Sequence, residues 1–305
     1  MKGERIDPGA SKGGPIVIVG RPHSGSRALA ELCLANGIFL GADLTAGFLD
    51  SLSWYQRFVV PLMTSRYFPH WDDHGSEDGL RILCAERLRD TWPRYWNSVT
   101  PAGAWGWKFC ETLFVIPIVK RLFPAARFIH IIRDGRDVCL SDGGFFQLTG
   151  THRDPPGWDP PAIDGKRAAF YDFCLAVTFG ESGVLEWRGL DLQDRQTLVD
   201  NRFLIQAQSW VTCVTRARTY GRNLGRDYLE IRYEDFCQAP AVEARRLFGW
   251  LGLPASAEAM KSLERVKTSR MRKWRRTRMT RRETWDFENA VGLASRLLQE
   301  LGYEC

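Results

Sequence analysis

The sequence predicts an α/β domain, a central parallel sheet flanked by helices in three layers, and three observations predict it. An apolar β-branched run, Ile16 to Val19, stops at Gly20. It leads through a loop of small and basic residues into a helical pattern marked by Leu29, Leu32, Cys33 and Asn36. Two further short apolar runs, RFIHII at 127–132 and DYLEIRY at 227–233, read as buried strands. The chain has 305 residues, 44% of them hydrophobic and 26% charged, enough to bury a full core as one unit.

Taken in order, residues 1–14 are polar and glycine-rich and read as a disordered leader, so that 15–305 forms the single domain. After the first strand and helix, residues 37–43 make a short apolar piece ending in Asp43. Residues 48–100 read as mostly helical and aromatic, including Trp54, Tyr55, Phe58, Trp92, Tyr95 and Trp96. Their main work is core packing, with some left to wall an acceptor pocket. Ala104 to Lys108 is a short extended piece, and 112–123 is a helix closed by Pro124. Residues 143–165, with two Pro-Pro pairs, form a long patternless loop that reads as a lid or a mobile segment. Helices are expected at 200–220, where Phe203, Gln206, Trp210, Val214 and Ala217 are periodic, at 241–251 ending in Gly252, and at 290–301. No internal repeat and no linker divides the chain.

Charge is unevenly spread. From Lys261 to Arg282 there are eleven Lys and Arg against one acid, Glu264, giving +10, which leaves the rest at −4 within the total of +6. A mildly acidic body with one basic segment implies a localised anion site more than a basic face. No apolar run reaches 18 residues and no signal-like segment opens the sequence, so a cytoplasmic protein without a membrane span is expected. Eight cysteines without a CxxC pair suit reduced thiols better than disulfides or zinc.

The loop after the first strand, Arg21-Pro22-His23-Ser24-Gly25-Ser26-Arg27, is an anion cradle. Its N–H groups converge at a helix N-terminus, Gly25 permits close backbone approach, and Ser24 and Ser26 add hydroxyls. Gly20 and Gly25 have the GxxxxG spacing, but Ser26-Arg27 stands where an ATPase has Lys-Ser/Thr. A single terminal phosphate fits such a cradle better than a triphosphate does. Ligands of open α/β sheets bind beyond the carboxyl ends of the strands, and Arg21, Lys108 and Arg133 all fall at such ends.

These residues resemble the sulfotransferases that use 3′-phosphoadenosine 5′-phosphosulfate (PAPS). GRPHSGSR is similar to that family's 5′-phosphosulfate loop, with Pro22, Ser24, Gly25 and Ser26 matching and His23 in place of the usual Lys or Arg. IIRDGRDVCLS is similar to its 3′-phosphate motif, with Arg133 and Ser141 eight residues apart and Gly135 for the usual proline. RYEDF at 232–236, followed by Pro240 and Leu251-Gly252-Leu253, is the third match. Two weaker matches are WGWK, ending at Lys108, and Met271-Arg272-Lys273-Trp274-Arg275.

The resemblance implies a P-loop-like fold, PAPS as sulfuryl donor and 3′,5′-ADP as product. It assigns Arg133, Ser141, Arg272 and Lys273 to the 3′-phosphate, Tyr233 to the nucleotide and Trp274 to a stack on adenine. Lys108 would act on the sulfuryl group, with Arg21 second, and His23 would donate to the leaving oxygen. The acceptor would be a hydroxyl, or an amine, of a small molecule or carbohydrate. No metal is expected, because a sulfuryl group carries less charge than a terminal phosphate. A general base is needed. Asp43 leads narrowly over Asp50 and Glu111, although an acid after an apolar run also serves as a helix N-cap. His70 and His74 in HWDDH lack the glutamate of HExxH and are not read as metal ligands. The alternatives are a nucleotide-dependent kinase and a non-catalytic RNA- or anion-binding protein.

Overall fold

The computed structural model describes residues 13–71, 77–97, 103–141 and 167–304. Strand β1 (Ile16–Gly20) lies inside a four-stranded parallel sheet with β2 (Gly106–Lys108), β3 (Arg127–Ile132) and β6 (Tyr228–Arg232), in the order β2-β1-β3-β6. Strands β4 (Glu186–Trp187) and β5 (Leu190–Asp191) form a separate small hairpin. Ile18 sits level with Lys108 and Gly20 with Ile131, so the ends of β1, β2 and β3 face the same edge. Gly106 permits this pairing, because a Cβ there would lie 1.7 Å from the Ile16 carbonyl oxygen.

Period-two alternation splits the β1 side chains between two apolar layers, as a sheet covered on both faces requires. Val17 and Val19 join Phe128, Trp54, Trp107 and Phe114 on one face. Ile16 and Ile18 join Ile129, Ile131, Ile231 and Phe248 on the other, under helix α1 (Ser26–Ala35). Each such large side chain, fully buried, contributes roughly 1.5–3 kcal/mol. His130 is buried in β3, where its Nδ1 shares a hydrogen bond of 2.5 Å with the Tyr228 hydroxyl and its Nε2 has no partner among the described residues.

Between β1 and β3, the 48–100 region is helical in pieces: a π-helical turn (Trp54–Val59), α2 (Val60–Met63) and α3 (Glu77–Trp96). Its rings pack as expected, with Trp54 stacked on Trp107 at 3.6 Å between centroids. The 112–123 helix is a 3₁₀ turn (Cys110–Val115) followed by α4 (Ile116–Leu122), the change falling before Pro117, which takes an early helical position.

Helix α5 (Gly135–Cys139) follows β3, and α6 (Arg167–Phe179) precedes the hairpin. The expected 200–220 helix is α7 (Arg195–Asp200) and then α8 (Arg202–Leu224), which packs between α6 and the final helix. Helices α9 (Tyr233–Gln238), α10 (Pro240–Leu251) and α11 (Ala257–Ser262) follow β6.

The last helix, α12 (Arg281–Glu300), begins nine residues before the expected start at 290. Thr280 and Glu283 form a reciprocal capping box there, and two orphan N–H groups are satisfied at once. The signal, Thr-x-x-Glu, lies at the end of the basic run and is obscured by it. The expected loop at 143–165, most of the leader at 1–14, and His74 lie outside the described residues.

Candidate active site

The phosphosulfate-type loop turns at His23, whose φ is +69°, and at Gly25, whose φ is +98°. Gly25 is required twice over: a Cβ would also lie 2.3 Å from the Tyr233 ring. Helix α1 then starts with no side-chain cap and no acid in its first turn, which leaves its N-terminal N–H groups and partial positive charge facing outward. The Ser24 hydroxyl is buried with no partner among the described residues, and the Ser26 hydroxyl meets the Cys110 thiol at 3.2 Å. Arg27 is exposed, paired with Glu31 at 3.0 Å and donating to the Gly47 carbonyl.

Arg21 is fully buried and points away from the cradle. It donates to Gln206 Oε1 at 2.7 Å and to the Pro22 carbonyl at 3.0 Å, and burial lowers its pKa below the ordinary arginine value.

Arg133, at the exit of β3, reaches the loop directly. It donates to the His23 carbonyl at 3.1 Å, to Asp137 Oδ2 at 3.1 Å and to the Arg270 carbonyl, and its guanidinium lies 4.8 Å from the Tyr233 ring centroid. The first and second motifs therefore meet on one side of the sheet, with Tyr233 from the third motif between them. Ser141 is half-buried two residues beyond α5, its carbonyl accepting from Gln206.

The basic segment is docked on α5. The Trp274 N–H donates to Asp137 Oδ1 at 3.1 Å, and the Trp274 ring lies against the guanidinium of Arg136 at 4.2 Å and that of Arg275 at 5.0 Å. Arg272 and Trp274 line a cavity of about 230 Å³ with Asp134, Arg136 and Tyr303, and Lys273 is exposed beside them.

At the end of β2, Lys108 is 4% exposed and donates to Asp50 Oδ1 at 2.6 Å and to the Phe48 carbonyl at 3.1 Å. Burial opposes its charge, but Cys110, Asp50 and Glu111 outweigh that effect and hold its pKa above the ordinary lysine value. Burial raises the Asp50 carboxyl against the pull of Lys108. Glu111, 6% exposed at the start of the 3₁₀ turn, is pushed up to about 7 by burial first and then by Asp50, with Lys108 and Arg21 acting against them. Asp43 Oδ2 accepts from the backbone N–H and the hydroxyl of Ser53, at the start of the helical segment that carries Trp54, and its Oδ1 is buried with no partner among the described residues.

Sequence reasoning passed over Gln206 as one member of an apolar stripe. A polar residue at a core position of α8 was the available signal.

The chain belongs to the sulfotransferase family. One family model, described as a sulfotransferase family, matches residues 15–171, and a second, a sulfotransferase domain, matches 117–293. This membership sets aside the kinase and the RNA- or anion-binding alternatives. No curated protein sequence matches the chain.

Among solved structures it is similar to the sulfotransferase domain from the curacin biosynthetic pathway, at 14% identity and a TM-score of 0.47, covering 97% of this chain and 99% of that one. The mouse sulfotransferase SULT7A1 complexed with PAP gives 14% and 0.45, covering 95% and 88%. Retinol dehydratase in complex with androsterone and inactive cofactor PAP gives 13% and 0.43, covering 93% and 80%. Among the described residues no helix is long and apolar enough to cross a membrane, and no cluster of His, Cys, Asp and Glu suits a metal ion.

Proposed function

We propose that residues 15–305 act as one domain that binds PAPS and moves its sulfuryl group in line, without a metal ion, to a hydroxyl or amine of a small-molecule or carbohydrate acceptor. The observation that carries this reading is the hydrogen bond from Arg133 to the His23 carbonyl, which joins the two anion sites around Tyr233. A nucleotide with an anionic group at each end needs two such sites on one face.

The residues fit that ligand. The partnerless Ser24 hydroxyl and the uncapped start of α1 suit the 5′ anion, together with Pro22, His23, Ser26 and Arg27 of the same loop. Arg133 and Ser141 suit the 3′-phosphate, with Arg272 and Lys273 from the basic segment. Tyr233 holds the nucleotide between them, and Trp274 is placed to stack on adenine by leaving Arg136. PAPS supplies an activated sulfuryl group when bound. Lys108 stabilises negative charge on the departing oxygen, helped by His23, and Arg21 contributes its field from below the loop.

Glu111 is a better base than Asp43 or Asp50. One oxygen of Asp43 is held by Ser53 and Asp50 is paired with Lys108, whereas the Glu111 carboxyl accepts from its own backbone and is pushed up to about 7. The cytoplasm is the proposed working compartment, and the seven described cysteines are all buried.

Calorimetry with 3′,5′-ADP beside 5′-AMP tests the reading. The 3′-phosphate is expected to add about 1.5 kcal/mol or more, as charged hydrogen bonds do, and Arg133→Ala to abolish the difference. Equal affinity of the wild type for the two nucleotides would overturn it.

A further inference from the structure

We infer that Gln206, a residue of none of the three motifs, is a positioning residue that sets the distance between the two anion sites. The inference rests on the nucleotide reading above.

Gln206 is 2% exposed at the start of the second turn of α8, and every polar atom of its amide is used across elements. Its Oε1 accepts from Arg21 at 2.7 Å, at the start of the cradle. Its Nε2 donates to the Cys139 carbonyl at 3.2 Å and the Ser141 carbonyl at 3.1 Å, where the 3′-phosphate motif leaves α5. One side chain therefore ties the first residue of one anion site to the last residue of the other. Arg133 makes the second tie, from the ligand side, through the His23 carbonyl. The two ties bracket the space between the sites.

The two ties differ in kind. Arg133 faces the ligand and would exchange partners when a phosphate arrives. Gln206 faces the core, where Arg21 is fully buried and, among the described residues, has only the Pro22 carbonyl as a second acceptor. A buried guanidinium deprived of its partner is costly, so Arg21 and Gln206 hold each other in place. Ser141 has no other cross-element hydrogen bond among the described residues, its backbone N–H returning to Val138 within α5. The position of the Ser141 hydroxyl thus depends on the Gln206 amide.

The chemistry separates the two halves of the tie. Gln206→Met keeps the volume and removes both. Gln206→Glu keeps an acceptor for Arg21, turning it into a buried ion pair. It also replaces the donor with an oxygen that repels the Cys139 and Ser141 carbonyls. The Glu variant therefore retains the packing around Arg21 while releasing Ser141, and it serves where the Met variant fails to fold.

The test is calorimetric titration of the full-length protein with 3′,5′-ADP and with 5′-AMP, for the wild type and both variants, beside their melting temperatures. In Gln206→Glu the affinity ratio of the two nucleotides should fall by roughly tenfold with 5′-AMP affinity nearly unchanged. A role confined to stability would lower the melting temperature and leave the ratio where it was, and that result would overturn the inference. A wild type that does not distinguish the nucleotides would instead defeat the underlying reading.

Discussion

Two buried clusters of cations and carboxylates stand at the same edge of the sheet, and they are balanced differently. In the cluster after β3, Arg133 and Arg136 each pair with an aspartate, and Glu234 accepts from the Asp134 backbone N–H at 3.0 Å and the Tyr303 hydroxyl at 2.8 Å. Asp134 accepts from the Arg136 backbone and guanidinium at 2.9 Å, and Asp137 accepts from Arg133 and from the Trp274 N–H, each at 3.1 Å. In the cluster after β2, Lys108 gives its 2.6 Å bond to Asp50, and Arg21, whose field also reaches Glu111, gives its own to Gln206. Glu111 is left with its own backbone and a pKa pushed up to about 7. On the proposed function, the cluster after β3 is balanced in that each of its carboxylates is hydrogen-bonded across elements or to its arginine, and it holds a binding surface in shape. The cluster after β2 is unbalanced in that Glu111 bonds no cation among the described residues, and the proposal puts the proton transfer there.

The largest expected effect tests the unbalanced side. Glu111→Gln should lower kcat by roughly two to four orders of magnitude and remove the rise in rate with pH centred near 7, since the base works only when deprotonated. Release of 3′,5′-ADP from PAPS, followed across pH with a panel of phenols and alcohols, reads this. A flat wild-type profile between pH 6 and 8 would break the distinction between the clusters.

Lys108→Ala comes next, with kcat down by roughly 10²–10³ and nucleotide affinity nearly unchanged. A loss confined to affinity would move Lys108 into the binding half. On the balanced side, Arg133→Ala should weaken 3′,5′-ADP by about tenfold or more while sparing 5′-AMP.

The last effect is on stability. The folded pKa of Glu111 lies above its ordinary value of 4.5, so the group costs stability as the pH rises from 4.5 to about 7. Glu111→Gln should therefore melt higher than the wild type at pH 8 and equally at pH 4. A lower melting temperature at pH 8 would show that the charged carboxylate is stabilised.

The proposed nucleotide half rests on signals that are local in the sequence. The β1–loop–α1 unit, Arg133 with Ser141, and Tyr233 after β6 are each set by a few adjacent residues, and the strand boundaries followed from apolar runs. The chemical half depends on contacts between distant segments. Asp50 meets Lys108 across 58 residues, and Gln206 meets Arg21 across 185. Spacing carries no information about either. Asp43 drew attention as an acid after an apolar run, a feature shared with residues that fix the start of a helix, and its Oδ2 bonds Ser53 at the start of the Trp54 segment. The early start of α12 was readable from Thr280 and Glu283, and the surrounding arginines obscured it.

The claim that Glu111 is the unbalanced group can be measured in the protein without any ligand. The side-chain carboxyl of Glu111, assigned by its loss in Glu111→Gln and followed by ¹³C NMR from pH 4 to 9, should titrate near 7. A midpoint near the ordinary glutamate value of 4.5 would contradict the account.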